Sequence, residues 1–153
     1  MKAAVIKKPG TIVVEDVPTP KPGPGEVLLK VEACALCGTD QRVLTGEKPA
    51  DVQIIGHEIT GRAVELGAGV SGVKVGDRFV VETVIGCGEC PPCKVQHEIH
   101  CEKQFKAIGY AWNGGFAEYM VMPKRGVDQG CLIPMPATMS AEIGTLMEPL
   151  SCC

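Results

Sequence analysis

Aromatic side chains are scarce: Phe, Tyr and Trp together make up 4% of the 153 residues. A core built from this chain must be filled with Val, Ile, Leu, Met and Ala. An excess of one charge is lacking too. Lys and Arg number 15 and Asp and Glu 18, for a formal net charge of −3. Such a weakly acidic surface is not drawn to nucleic acid or to an anionic membrane. No apolar run reaches the roughly 18 residues of a membrane-spanning helix. The opening Met1-Lys2-Ala3-Ala4-Val5-Ile6-Lys7-Lys8-Pro9 lacks a signal-peptide h-region. Without a secretory signal, the nine cysteines read as intracellular thiols rather than a disulfide framework. A cytoplasmic location is expected. The apolar fraction of 45% is that of a globular protein, with room for one domain and its core.

What is present reads as short strands with Gly/Pro turns. Val5-Ile6 and Ile12 to Val17 predict two strands across Pro9-Gly10. Pro18 to Gly25, with four prolines, is an extended connector that cannot be helix or central strand. Glu26 to Cys34 predicts a strand, Gly38 to Thr45 a short helix closed by Gly46, and Ile59 to Leu66 and Asp77 to Val84 two further strands. Phe116 to Met122 predicts a strand ended by Pro123. Gly126 to Pro136 reads as loop. Ser140 caps a short helix through Met147, and Pro149 pushes Glu148 toward extended geometry. The fold class expected is mainly β with short helices, a barrel-like domain. The apolar end at Cys152-Cys153 is what a cut at a domain boundary would leave.

Gly67-Ala68-Gly69-Val70-Ser71-Gly72 fits the G-x-G-x-x-G dinucleotide fingerprint in letters only. That fingerprint needs a helix after the glycines, to present amides to pyrophosphate. Here Val73 to Val81 leads into a strand, so the glycines read as turns.

Cys87-x-x-Cys90-x-x-Cys93-x7-Cys101 places four thiols within 15 residues. Two-residue gaps let one loop fold several sulfurs around an ion, and the longer gap brings the fourth from the far side. A closed set of four thiolates is a structural zinc site. A ferredoxin-type cluster would place its fourth cysteine after three residues, with Pro next; here seven intervene and Glu102 follows.

The second constellation is Gly56-His57-Glu58-x-x-Gly61-x5-Gly67-x-x-Val70, with Cys37-Gly38-Thr39-Asp40 before it and the cysteine lobe after it. In this order, from Lys2 to Cys153, the chain resembles the zinc-containing medium-chain alcohol dehydrogenases. Glu148-Pro149-Leu150-Ser151 narrows the likeness to the polyol (sorbitol) and threonine dehydrogenase branches. Alcohol dehydrogenases hold their catalytic zinc with two thiolates and one imidazole and keep one position open.

The resemblance implies a GroES-like, partly open β-barrel over residues 1–153, with a structural zinc lobe at about 86–102. It implies two zinc ions per chain. Cys37 and His57 are the expected ligands of a catalytic zinc. Glu58 is the acidic neighbour that enters or leaves the coordination sphere, and Glu148 the third protein position, binding directly or through water. Thr39 is the hydroxyl that takes the alcohol proton, and Asp40 the carboxylate that orients His57. Cys87, Cys90, Cys93 and Cys101 are the structural zinc ligands. The activity implied is oxidation of a secondary alcohol, a polyol or an amino alcohol, to a ketone. Zinc lowers the alcohol pKa, and the alkoxide gives hydride to NAD or NADP.

The sequence departs from the family's pattern at two points. The family often has His five residues after the ligand Cys; here that position is Arg42, which stays protonated. Proton exit then uses water or the cofactor ribose, or Arg42 contacts cofactor phosphate. The nicotinamide-binding Rossmann domain is absent from these residues and is the expected partner domain in a full-length homo-oligomer. Cys34, Cys131, Cys152 and Cys153 read as small core residues, His97 and His100 as solvated, and Trp112 as a packed turn aromatic or a cleft wall. Two alternatives stand beside the dehydrogenase: a stand-alone zinc-stabilised binding module of GroES-like form, and a zinc-free quinone reductase, which the full ligand set weakens.

Overall fold

The computed structural model describes residues 1–153. The chain opens on the expected hairpin, β1 (Lys2–Lys8) and β2 (Thr11–Asp16), antiparallel with Lys2 opposite Asp16 and Ile6 opposite Ile12. β3 (Val27–Ala35) follows the proline connector and ends just before α1 (Gly38–Thr45). β4 (Glu58–Leu66) pairs antiparallel with β3 along its whole length. β5 (Arg78–Val81) lies beside β4. A two-residue ladder of β6 (Val84–Ile85) with β7 (Lys106–Ala107) pinches off the cysteine lobe, which contains α2 (Pro91–Lys94). β8 (Tyr119–Met122), α3 (Lys124–Asp128), β9 (Leu132–Pro134), α4 (Ala141–Gly144) and α5 (Met147–Ser151) complete the chain. The main sheet has five strands in the order β8-β3-β4-β5-β9. It curves without closing, so the architecture is mainly β with open sheets.

One face of that sheet makes the core: Val27, Leu29, Ile59, Ala63, Val81, Ile85, Met120 and Met122 are buried together, with Phe79 as the aromatic member. Aliphatic and Met side chains do the filling, as the composition requires. Each such side chain contributes about 1.5–3 kcal/mol on burial.

The strand expected from Phe116 starts at Tyr119, and the helix expected through Met147 ends at Gly144 before α5 begins; other stretches differ for local reasons. β5 stops at Val81 because the Glu82 carboxylate turns back to accept a hydrogen bond from the Val84 N–H, 2.9 Å away. Within Gly126–Pro136 the structure has the end of α3 and the strand β9. Gly126 lies against Met122 and Ile85, where a side chain would collide. β9 pairs Leu132 with Val81 at the sheet edge, where Pro134 needs no ladder partner. Pro149 does not hold Glu148 extended. It sits in the first turn of α5, whose N–H groups lack intrahelical partners in any case, so helix continues through it. Cys131 is buried and Cys34 packs against the core, but Cys152 and Cys153 are exposed at the end of α5 rather than part of the core. Trp112 packs against the main core as a turn aromatic.

Glu32 ties the sheet to its C-terminal cover. Its two carboxylate oxygens meet Arg62 at 2.9 Å and Arg78 at 2.7 Å, and Arg78 also donates to the Met139 carbonyl at 2.9 Å. Burial pushes the Glu32 carboxyl up, but Arg78 and Arg62 outweigh it and hold the group below its ordinary value. A carboxyl lowered on folding stabilises above its unfolded pKa and loses that contribution as the pH falls through the folded one. Glu32→Gln is therefore expected to cost about 1–2 kcal/mol at neutral pH, a charged hydrogen bond discounted for partial solvent screening. The difference from wild type should shrink once the pH drops below the ordinary glutamate value of 4.5. Urea unfolding at the two pH values checks this.

Candidate metal centre and active site

Strand register brings the first donor set together. Ala35 pairs with Glu58 at the end of the β3–β4 ladder. Cys37, two residues beyond Ala35, and His57, one residue before Glu58, thus leave the same end of one strand pair. Gly56 shapes the approach with φ 96°, and a Cβ there would sit 2.8 Å from the Phe116 ring and 2.9 Å from Cys34 Sγ. A side chain at Gly56 would be strained by its backbone and blocked by its neighbours.

Cys37 is also the N-cap of α1. Its sulfur accepts from the Thr39 N–H at 3.5 Å, while its own N–H donates to Asp40 Oδ2 at 3.0 Å, a capping box. The other oxygen of Asp40 accepts from the Gly56 N–H at 3.2 Å and lies 3.3 Å from His57 Nδ1. Asp40 is 2% exposed, and its one carboxylate holds both the Cys37 and the His57 backbone segments. His57 Nδ1 lies close to Asp40 but without an aligned hydrogen bond.

Ligand atoms of Cys37, His57 and Glu58 all fall within 4.8 Å of one another. Burial works against a charged His57, yet Asp40 and Cys37 win and push its pKa up to about 9. The negative field of Asp40 and Cys37 that favours a proton here is also of the sign that favours a cation among these donors. Thr39 lies beside the set, its hydroxyl accepting from the Cys37 thiol at 3.5 Å. Glu148, on α5, stands outside the three-residue cluster. Burial raises its pKa, His57 opposes, and Glu58, Glu82 and Asp40 raise it further. Glu148 and Glu82 line a cavity of 760 Å³ together with His97, His100, Ser151 and Cys152. Arg42 points away, exposed and 3.8 Å from Glu47. His97 and His100 are exposed, and neither belongs to a donor set.

The second donor set is the lobe. Cys90 caps the single turn of α2, Pro91 and Pro92 start it, and Cys93 lies within it. The neck is held by Gln129, which accepts from the Gly86 N–H at 3.2 Å and donates to the Gly86 carbonyl at 3.1 Å. The four sulfurs converge, Cys90 to Cys93 at 3.4 Å and Cys87 to Cys93 at 3.9 Å. Sulfurs at the corners of a zinc tetrahedron with bonds of about 2.3 Å lie about 3.8 Å apart. Amides of Glu89 and Cys90 point at the Cys87 sulfur, both at 3.4 Å, and lower its pKa to about 6. Thiolates supported by amides, in a set with no free corner, fit a structural zinc. The Cys37, His57 and Glu58 set, with Glu148 and Thr39 at its margin, fits a zinc that keeps an open position.

Two residues near the first set escaped the sequence reading. Tyr110 places its ring 5.5 Å from that of His57 at a 45° tilt, and Lys48 sets its ammonium 4.3 Å from the centre of the Tyr110 ring. Neither lies in a periodic segment. The available signal was the rarity of tyrosine, two in the chain, beside a glycine.

Comparison with known proteins agrees with this geometry. Residues 23–137 match the alcohol dehydrogenase GroES-like domain family. The chain is 42% identical to L-threonine 3-dehydrogenase of Pyrococcus furiosus, covering 98% of this chain and 43% of that one. Its fold superposes on a Sinorhizobium meliloti 1021 protein described as a zinc-binding dehydrogenase and solved with NADP. The TM-score is 0.87 at 38% identity, over 99% of this chain and 43% of that one. A thermostable alcohol dehydrogenase of Pyrobaculum aerophilum with bound cobalt and zinc gives a TM-score of 0.85 at 34% identity, over 95% of this chain and 44% of that one. This chain thus spans about 43% of the length of the curated relatives it matches. The matched span, residues 23–137, takes in Cys37, His57, Glu58 and all four lobe cysteines, and the chain belongs to the alcohol dehydrogenase GroES-like domain family.

Proposed function

We propose that residues 1–153 form the catalytic domain of a zinc-dependent, NAD(P)-dependent dehydrogenase that oxidises a secondary alcohol, a polyol or an amino alcohol, to a ketone. The observation that carries this reading is the contrast between the two donor sets. One is closed by four sulfurs. The other, Cys37, His57 and Glu58 within 4.8 Å, is short of a fourth donor and has a hydroxyl beside it. Relatives named threonine dehydrogenases support the amino alcohol.

Cys37 and His57 would hold the catalytic zinc, with Glu58 and Glu148 as carboxylate partners, and Cys87, Cys90, Cys93 and Cys101 the structural one. When bound, the catalytic zinc supplies Lewis acidity that polarises a hydroxyl oxygen and lowers its pKa. Asp40 keeps the ligands in place from behind, a task zinc-bound imidazoles commonly require. Thr39 offers its hydroxyl to the departing proton. Arg42 is turned to solvent, 3.8 Å from Glu47, so the proton would leave Thr39 by water or by the cofactor ribose.

A nicotinamide-binding domain is the proposed partner. Ile143, Leu146, Met147 and Leu150 are 56%, 49%, 45% and 62% exposed. They recur at helical spacing around Glu148, an apolar ridge next to the metal centre that a second domain would cover. No helix of the chain is long and apolar enough to cross a membrane. A cytoplasmic homo-oligomer is the form proposed for the full-length protein.

Metal analysis tests the reading. Two equivalents of zinc per chain are expected, falling to one in Cys37→Ser. Chelator should strip the open centre first, since carboxylates are weaker zinc partners than thiolates. Two equivalents of iron with visible absorbance, or a single zinc unchanged by Cys37→Ser, would overturn it.

A further inference from the structure

Tyr110 lies between the Cys37, His57 and Glu58 cluster and a separate cavity of 580 Å³ that it lines with Lys48, Asp51, Gln104, Phe105 and Lys106. Its position is fixed from several directions. Gly109, at φ 82°, brings the preceding backbone so close to Gly56 that a Cβ would lie 3.0 Å from the Gly56 carbonyl oxygen. The Asp51 N–H donates to the Tyr110 carbonyl at 2.8 Å. The Lys48 ammonium stands 4.3 Å from the ring centre, within the range of a cation–π contact. Lys48 is itself anchored, its N–H donating to the Arg42 carbonyl at 3.0 Å at the end of α1. The loop from Lys48 to Asp51 therefore holds both the ring and the backbone of Tyr110.

The imidazole needs such support. Asp40 lies 3.3 Å from His57 Nδ1 without an aligned hydrogen bond, which leaves room for a second constraint on the ring's tilt. The ring 5.5 Å away at 45° supplies the second constraint, since a packed aromatic limits rotation about the imidazole's side-chain torsion.

We propose that Tyr110 is a positioning residue of the metal centre: its ring, clamped by Lys48, sets the orientation of the His57 imidazole toward the metal. This rests on the reading that Cys37 and His57 hold a metal. Outer partners of a metal-binding imidazole typically carry ten- to a hundredfold in affinity.

The test is titration of the 153-residue chain with Co²⁺, reading the visible bands of the four-sulfur lobe and of the open centre separately. In wild type both should appear. Absence of the open-centre band in wild type would defeat the metal reading itself, and the positioning role with it. With that band present, Tyr110→Ala and Tyr110→Leu should weaken Co²⁺ at the open centre about tenfold and shift its band, leaving the lobe band unchanged. Tyr110→Phe should restore both affinity and band, and Lys48→Met should fall between. Tyr110→Leu keeps the bulk of the side chain, and its native lobe band certifies folding if the Ala variant fails to fold. Open-centre affinity within twofold of wild type and an unmoved band in Tyr110→Leu would overturn the proposal. Failure of Phe to restore them would overturn the assignment to the ring.

Discussion

Cys37→Ser and His57→Ala, placed in a protein that joins this chain to a nicotinamide-binding domain, are expected to lower kcat/KM for a secondary alcohol by about a thousandfold or more. Each removes a proposed metal ligand, and electrostatic stabilisation of the reacting oxygen is commonly the largest single contribution to such catalysis. Thr39→Ala should lower the rate less, by about a hundredfold, because water replaces part of a hydroxyl relay. The 153-residue chain alone should show negligible turnover with NAD or NADP. Hydride transfer needs the nicotinamide held against the substrate carbon, and positioning of this kind accounts for about 7–11 kcal/mol of a barrier. Within these residues, the one glycine-rich match to a dinucleotide fingerprint is followed by turns and by β5, not by a helix. Cofactor reduction followed by absorbance checks both statements. Unchanged turnover in His57→Ala, or robust turnover by the 153-residue chain, would sink the mechanism.

The second large effect concerns the lobe. Cys90→Ser should lower the thermal midpoint by about 10 °C, several times the shift from His57→Ala. Structural zinc sites contribute about 10–16 kcal/mol in small peptides that have no other core. Here the sheet has a core of its own, and a loss of about 3–5 kcal/mol is expected, at about 2–4 °C per kcal/mol for a chain of this size. Cys90 is 6% exposed and Cys93 7%, so an unmetallated lobe leaves thiols packed against thiols in place of an ion. The His57 centre differs because β3, β4 and the α1 cap hold it before any ion arrives. Equal midpoints for the two variants, measured by calorimetry with zinc present, would count against the closed site.

Much of this arrangement was legible in the sequence because the punctuation was local. Gly46 ends α1 with φ 83°, as a glycine after a short polar helix should, and the apolar run that opens β3 is buried as its composition suggests. The four lobe cysteines announce their convergence through spacing alone. The proximity of Cys37 to His57 came from the resemblance, since nothing in either segment states that Ala35 pairs with Glu58. What stayed hidden depended on partners far along the chain. β9 is a three-residue strand whose strand character comes from β5. α3 forms around a glycine that intrinsic propensity counts against helix, because Met122 and Ile85 fill the space where a side chain would be. Pro149 misled by its general reputation, which does not hold in a first helical turn. Tyr110 gave no pattern at all; its place follows from Gly109 meeting Gly56.

The two donor sets also differ in the distance the chain must travel to close them. The four lobe thiols span Cys87 to Cys101, and the Cys87 N–H donates to the Cys101 sulfur only 14 residues away. A loop so short closes within about 10–100 ns, so these thiols can meet an ion while the sheet is still unformed, and such capture would restrain the Val84 and Ala107 ends for their own pairing. The other centre waits on Ala35 finding Glu58, on α1 being capped, and on the segment from Gly109 to Phe116 folding over Gly56. Contacts of such sequence separation form late and slowly. On the proposed assignment, the lobe would take its metal during folding and the other centre after it, and a shortage of zinc during synthesis would leave less stable chains for want of the first and intact but empty ones for want of the second.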